Sequence, residues 1–418
     1  MLLSFSVGNF LSFRDVKTLN MLAAPAVKEL EDNVFAAKKD KLLKSAVIYG
    51  ANASGKSNLF NALKLMKDMM LNSSKEGQYG EDLPVIPFLL NKDNPDRPSR
   101  FELQFLLDGC KCRYGFEATG KRVVSEWLAL RRKTKEQPLF LRVEDQIQVF
   151  PAFELAPPGS LERLTRGNAL FLSVCAQFNV QMAQRVLAWV KAVNVMSGLS
   201  DSYKGYSVGK FLSGEFRSQI LEFLRAADVD IVDLRVSERG LRADELPREL
   251  SAKILEKSPT AIDIESVHNV YDEKGEVIDV FEWDFERFES QGTKKVFALS
   301  GLIIETLRNG GVLLVDELDS RLHPTMTRWL VGMFNSTESN PKSAQLVFAT
   351  HDTNLLDKGS FRRDQIWFAE KDQREATDLY SLFDFKGVRN DAAFERNYLD
   401  GRYGAIPFLN AAQCLGGE

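Results

Sequence analysis

Cysteine and histidine are scarce in this chain, with four of one and three of the other among 418 residues. Cys110, Cys112, Cys175 and Cys414 lack paired C-x-x-C spacing, so neither a zinc site nor a disulfide framework is expected. Such usage suits the reducing cytoplasm. No stretch approaches the ~18 apolar residues that cross a bilayer, so no membrane role is expected. Positive charge is not in excess either. A net charge of -4 and a pI near 5.7 leave any nucleic-acid contact, which stays open, to a local patch or a partner. Long heptads, internal repeats and low-complexity tracts are missing, which argues against a far-reaching coiled-coil arm. The amino terminus, Met1 to Phe10, is apolar but has no basic leader or small-residue cleavage site, and is expected to be a first strand.

What is present is ample apolar material, 44% of the residues, enough to fill two or three lobes. Short strands are expected at Leu2 to Val7, Val16 to Met21, Phe101 to Leu107, Arg113 to Ala118 and Val123 to Leu130. Turns at Asp108-Gly109 and Thr119-Gly120 separate the later ones. Asn72 to Gly80 and Asn91 to Ser99 read as loops. From Leu161 to Ser258 the pattern turns helical. Phe211, Ile220, Phe223 and Leu224 mark one amphipathic element, and Leu250, Ile254 and Leu255 another. Strands return at Ile262 to Tyr271 and Val277 to Phe285, around a turn at Glu273-Lys274-Gly275. The expected division is 1–160, a helical insertion at 161–258, and 259–418.

The most specific motif is Gly50-Ala-Asn-Ala-Ser-Gly-Lys-Ser57, which satisfies G-x-x-x-x-G-K-[ST] between the apolar run Ala46 to Tyr49 and a helical pattern through Leu59, Leu63, Met66 and Met70. Small residues let consecutive backbone N–H groups curl round phosphates, Lys56 reaches the outer ones, and the Ser57 hydroxyl ligates magnesium. Gly50, Asn52, Ser54, Gly55 and Asn58 complete the expected nucleotide contacts, and the helix start adds its positive dipole end. Gly311 to Val315 reads as a buried strand delivering two carboxylates, a Walker B pattern. Asp316 is expected to hold magnesium and Glu317 to orient or deprotonate the attacking water.

Ser57 and Asp316 lie 259 positions apart, so the nucleotide domain is expected to be split by a large insertion. That arrangement resembles the ABC and SMC-like branch of P-loop ATPases. Three further elements carry the resemblance. Glu289-Ser290-Gln291-Gly292-Thr293, heading a helical pattern that stops at Gly310-Gly311, sits where the ABC signature sits. Leu318-Asp319-Ser320-Arg321-Leu322-His323-Pro324 resembles the D-loop, with Asp319 at a dimer seam and His323 capping or packing. Gln345 to Ala349 reads as a second core strand delivering His351, which looks like the switch histidine that senses a γ-phosphate.

With Gly8-Asn9-Phe10-Leu11-Ser12-Phe13-Arg14 and the tail segments Arg363 to Phe368 and Gly401 to Pro407, the chain resembles the compact ABC/SMC-like AAA family ATPases of bacterial anti-phage loci, of the RloA and abortive-infection type. The resemblance implies an α/β head with a mixed sheet, amino-terminal antiparallel strands and an inserted helical lobe. It also implies ATP and Mg2+ as ligands, head-to-tail dimers or higher oligomers around two nucleotides, and control of a separately encoded toxin or nuclease. Gln104 is a candidate Q-loop residue, although it sits mid-strand. A nuclease metal site at Asp364, Glu370 and Lys371 is not expected, because the last two are adjacent; both carboxylates read as strand-edge charges. Arg131-Arg132-Lys133 with Lys135, and Arg362-Arg363, read as solvated surface. Alternatives are a nucleotide-stabilised scaffold with little turnover and a DNA-repair SMC-like head.

Overall fold

The computed structural model describes residues 1–132, 135–154, 160–200, 203–240, 260–388 and 392–407. Two sheets dominate the first of two compact units, which takes in Met1–Leu199, Thr306–Asp319 and Thr327–Glu418. One is antiparallel, in the order Gln146–Val149, Gln137–Val143, Val123–Arg131, Cys110–Ala118, Ser99–Leu107, Leu2–Gly8, Lys17–Asn20. The other runs Val193–Ser197, Val312–Asp316, Gln345–Ala349, Ser45–Tyr49, Ile366–Lys371, Thr377–Ser381, parallel throughout except for the last strand.

The second sheet explains its own sequence. Ser45–Tyr49 and Gln345–Ala349 are buried along their whole length, so apolar side chains are required on both faces and the pattern is continuous rather than alternating. Against it lies the helix Lys56–Asn72, whose Leu59, Phe60, Leu63, Met66 and Met70 enter the shared core. Buried Gln345 joins the two sheets. Its side chain accepts the Leu2 N–H at 2.6 Å and donates to the carbonyls of Leu2 and Leu43, both at 3.1 Å.

The second unit, Ser200–Glu305 with Ser320–Met326, holds helices Lys204–Leu212 and Arg217–Ala226, an antiparallel sheet ordered Asp233–Gly240, Thr260–Tyr271, Val277–Asp284, and the start of the helix Gln291–Asn309. Gly301 leaves room for Ser207, whose hydroxyl donates to the Ala298 carbonyl at 2.9 Å and accepts the Gly301 N–H at 3.1 Å.

The division therefore differs from the expected one. Helices Ser160–Leu164, Phe171–Gln177 and Gln181–Lys191 belong to the first unit, and the insertion carries a sheet as well as helices. Val193–Ser197 is a strand inside the stretch read as helical, because it pairs in parallel with Val312–Asp316. Phe211 and the trio Ile220, Phe223 and Leu224 lie on separate helices, broken at Gly214, whose φ is 75°. The helical pattern at Leu250, Ile254 and Leu255 falls outside the described residues, as does Cys414.

Two charge readings are also corrected. Arg362 is 2% exposed rather than solvated: it pairs with Asp364 at 2.9 Å and donates to the carbonyls of Val27 and Glu29. Asp364, itself buried, also accepts the Ala24 N–H at 2.7 Å, and Glu370 accepts the Tyr380 hydroxyl at 2.9 Å, so neither is a free strand-edge charge. Asp364 ties the amino-terminal segment at Ala24 to the turn before the strand Ile366–Lys371, and its burial needs such partners.

Candidate functional site

Gly50 leaves the carboxyl end of the buried strand Ser45–Tyr49, and the loop from Gly50 to Gly55 then enters the helix Lys56–Asn72. Its glycines are dictated by space. A Cβ at Gly50 would overlap the Ala369 carbonyl, and one at Gly55, where φ is 101°, would overlap the Thr377 hydroxyl. Thr377 donates its hydroxyl proton to the Ser54 carbonyl at 2.9 Å and is hydrogen-bonded to the Ser12 hydroxyl at 2.7 Å, and Ser12 accepts from the Asn58 amide at 2.7 Å. The loop is thus shaped from outside by residues of both chain ends. Ser12 lies in the segment Gly8 to Arg14, and Thr377 has no local signature.

Lys56 is 6% exposed, with its ammonium on the carbonyls of Gly50 at 2.7 Å and Ala51 at 3.0 Å. Burial pushes its pKa below 10.5, opposed by the nearby carboxylates of Asp316, Glu317 and Asp319. Asn52 and Ser57 are exposed, and Ser54 is buried with an unpartnered hydroxyl.

Asp316 ends the strand Val312–Asp316, and its carbonyl accepts the Gly198 N–H at 2.6 Å. Glu317 follows at φ 54°, a left-handed conformation that costs a non-glycine residue roughly 1–2 kcal/mol. The Leu318 N–H donates to the Ala349 carbonyl at 3.1 Å, and the His351 N–H to Asp319 Oδ2 at 3.3 Å, which ties together the ends of two neighbouring strands. Asp316 Oδ1, Asp319 Oδ1 and Asp352 Oδ2 are buried oxygens without a partner. Leaving such a group unpaired costs ~1–3 kcal/mol, so these oxygens suit hydrogen-bond donors brought by a ligand; among the described residues no three acidic, histidine or cysteine side chains are placed to hold a metal ion by themselves.

Desolvation holds the His351 pKa below 6.5, and the Lys56 charge lowers it further, against the pull of Asp319, Glu317 and Asp316. Because the unfolded chain then binds the proton more readily, stability is full above 6.5 and declines as pH falls through it. Replacing His351 by Gln is expected to reduce that acid-side loss in denaturant titrations across this range; an unchanged pH slope contradicts it.

Ser290 and Gly292 belong to the second unit and Lys56 to the first. The Ser290 hydroxyl accepts the Thr293 N–H at 3.0 Å and so caps the helix Gln291–Asn309. A Cβ at Gly292 would approach the Arg321 carbonyl to 3.3 Å, so the turn stays narrow. Beside it, Glu289 Oε1 accepts from Ser266 at 2.6 Å, from His268 at 2.8 Å and from Trp283 at 2.8 Å. Burial alone raises this carboxyl's pKa, but the three hydrogen bonds outweigh it and hold it below the usual value. His323 acts as expected in a cap, since its Nδ1 accepts the Thr325 N–H at 3.3 Å. Gln104 donates within its own strand to Glu102 at 3.4 Å.

Gly198 is a close-approach position beside the site that the sequence analysis did not single out. A Cβ there would overlap the Glu317 carbonyl, so it lets Val193–Ser197 run close beside the carboxylate-bearing strand. The alternation of Val193 and Val195 ahead of a glycine was the available signal.

A phosphate loop on a parallel sheet, with carboxylates at the end of a strand two places along that sheet, defines an α/β P-loop nucleotide-binding domain of the ATPase class. Residues 45–357 match the family described as "AAA domain, putative AbiEii toxin, Type IV TA system", and the chain belongs to that family. A "Putative ABC transporter ATP-binding protein" of Caldanaerobacter subterraneus subsp. tengcongensis is 41% identical over 73 residues, which take in 18% of this chain and 28% of that relative's length. Among solved structures, the SMC head domain from Thermotoga maritima is 14% identical with a TM-score of 0.39, covering 91% of this chain and 98% of that one. The recombination mediator protein RecF is 13% identical with a TM-score of 0.36, covering 91% and 98%. Among the described residues no helix is long and apolar enough to cross a membrane.

Proposed function

We propose that the chain is a cytoplasmic ATPase that closes around ATP as a pair and uses that closure to govern a separately encoded effector, a toxin or nuclease, in anti-phage defence. The observation that carries the ATPase reading is the grouping of Asp316, Glu317 and Asp319 near enough to act on the charges of Lys56 and His351, with buried oxygens of Asp316 and Asp319 that lack partners. In this reading Lys56 leaves the Gly50 and Ala51 carbonyls for the outer phosphates, while the backbone from Gly50 to Gly55, with Asn52 and Ser54, cradles the rest. Ser57 and Asp316 would hold Mg2+, which when bound offsets phosphate charge. Glu317 orients the attacking water and accepts its proton, and His351 meets the γ-phosphate. Asn58, whose amide is engaged by Ser12, supports the loop more than the ligand. Ser290 and Gly292 of a second copy complete the pocket, with Asp319 at the seam. The effector role rests on the sequence resemblance; the family description places the domain in a Type IV TA system and names a putative toxin.

Complementation tests the shared pocket. Lys56→Ala is expected to lower ATP affinity ~100-fold by removing charge-assisted hydrogen bonds, and Ser290→Arg to disable only the pocket that position 290 faces, without preventing binding. Each variant alone should be inactive. Their equimolar mixture should recover about a quarter of wild-type turnover, because half of random pairs keep one of two sites intact. A mixture as inactive as its components, with Ser290→Arg still binding ATP, removes the composite site.

A further inference from the structure

In the second unit the strand Val277–Asp284 is the edge of its three-stranded sheet, and among the described residues it pairs only with Thr260–Tyr271. Val277, Ile278, Val280 and Phe281 are 54%, 63%, 45% and 58% exposed. Because side chains alternate across a strand, this apolar surface is offered on both faces as well as along the edge. Edge strands are ordinarily guarded by lysine, proline or bulges that discourage pairing; Val-Ile-Asp-Val-Phe-Glu-Trp-Asp has no lysine or proline, and its one register shift, where Val270 faces Asp279 and Tyr271 faces Val277, lies at its start and leaves Asp279 to Asp284 regularly paired.

Its charge narrows what fits there. Residues 272–284 hold six carboxylates and one lysine. Glu282 is engaged by Arg235 at 2.7 Å, while Glu276 and Asp279 stand exposed. Such a strip repels a phosphate backbone. It also opposes pairing with a second copy, since antiparallel pairing centred between Val280 and Phe281 would set Asp279 against Glu282.

We propose that Val277–Asp284 is a docking edge for an extended segment of a partner protein in which basic and apolar residues alternate, adding to the sheet as a fourth strand. The inference deepens the functional reading by locating where an effector engages, and rests on that reading only for the partner's role. Trp283 on the same strand donates to Glu289, the residue before Ser290, so an added strand lies one hydrogen bond from the turn proposed to close the second copy's pocket.

The test uses the full chain and a fluorescent octapeptide alternating lysine and valine, with an octapeptide alternating glutamate and valine as control. Anisotropy is expected to report salt-sensitive binding of the basic peptide alone, with amide exchange slowed in residues 277–284. Reversing charge with Glu276→Lys and Asp279→Lys, two exposed positions, should weaken binding at least about tenfold. Val280→Pro, which disrupts the edge backbone, should weaken it also. The proposal is overturned if the charge-reversed chain binds the basic peptide as well as wild type does, or if exchange slows elsewhere. It is equally overturned if Phe281→Asp dissolves a nucleotide-free dimer, or if the strip binds duplex DNA. Lys56→Ala should dock the peptide normally. Lost docking with intact ATP turnover refutes this inference alone, and lost turnover with intact docking refutes the ATPase reading alone.

Discussion

Replacing Glu317 by Gln is expected to lower ATP turnover at least ~100-fold, roughly 2.7 kcal/mol in the barrier, while leaving ATP bound. Glutamine keeps the shape and the left-handed backbone at φ 54°, but no longer accepts a proton from water. Binding should hold or tighten, because the change removes one negative charge that would face the triphosphate beside Lys56, Asp316 and Asp319. The consequence is accumulation of a closed, ATP-dependent pair, measurable by size exclusion with and without nucleotide. A Glu317→Gln chain that turns over at the wild-type rate contradicts the assignment.

Gly198→Ala should be nearly as damaging, though it touches no expected ligand contact. The added methyl would overlap the Glu317 carbonyl and lie 2.8 Å from that of Asp316, so the peptide joining the two carboxylates must shift or the strand Val193–Ser197 must draw back. Overpacking of this kind costs ~1–3 kcal/mol in stability. Displacing reacting groups by about 1 Å costs on the order of 100-fold in rate. Turnover is therefore expected to fall about that far, while ATP affinity, which depends on the loop from Gly50 to Ser57, changes only a few-fold. Steady-state kinetics with a fluorescent-nucleotide titration separate the two effects. Wild-type kcat in this variant would mean that the crowding at Gly198 is absorbed without consequence.

The phosphate loop was legible because its chemistry is local: eight consecutive residues satisfy the spacing, and the strand and helix around them have unmistakable periods. Val312–Asp316 and Gln345–Ala349 were legible for the same reason, as short apolar runs stopped by polar residues. The helical reading of 161–258 failed where pairing overrode pattern. Val193–Ser197 is short, and it is a strand because Val312–Asp316 lies beside it. Arg362 and Asp364 look solvated in sequence, since a charge carries no local sign of burial; only the segment around Val27 and Glu29 encloses them.

By itself the amino-acid order determined which groups are available for chemistry: a lysine and serine after a glycine-rich turn, two carboxylates ending one apolar strand and a histidine following another. Tertiary structure alone decided that Ser12 and Thr377 grip that turn, that Gly198 makes room for Glu317, and that Val277–Asp284 is left at an open edge. The reason is physical. Strand periods and turn chemistry act over a few residues, whereas burial and close approach depend on segments hundreds of positions away, as with the Ser12 and Thr377 hydroxyls, which meet at 2.7 Å across 365 positions.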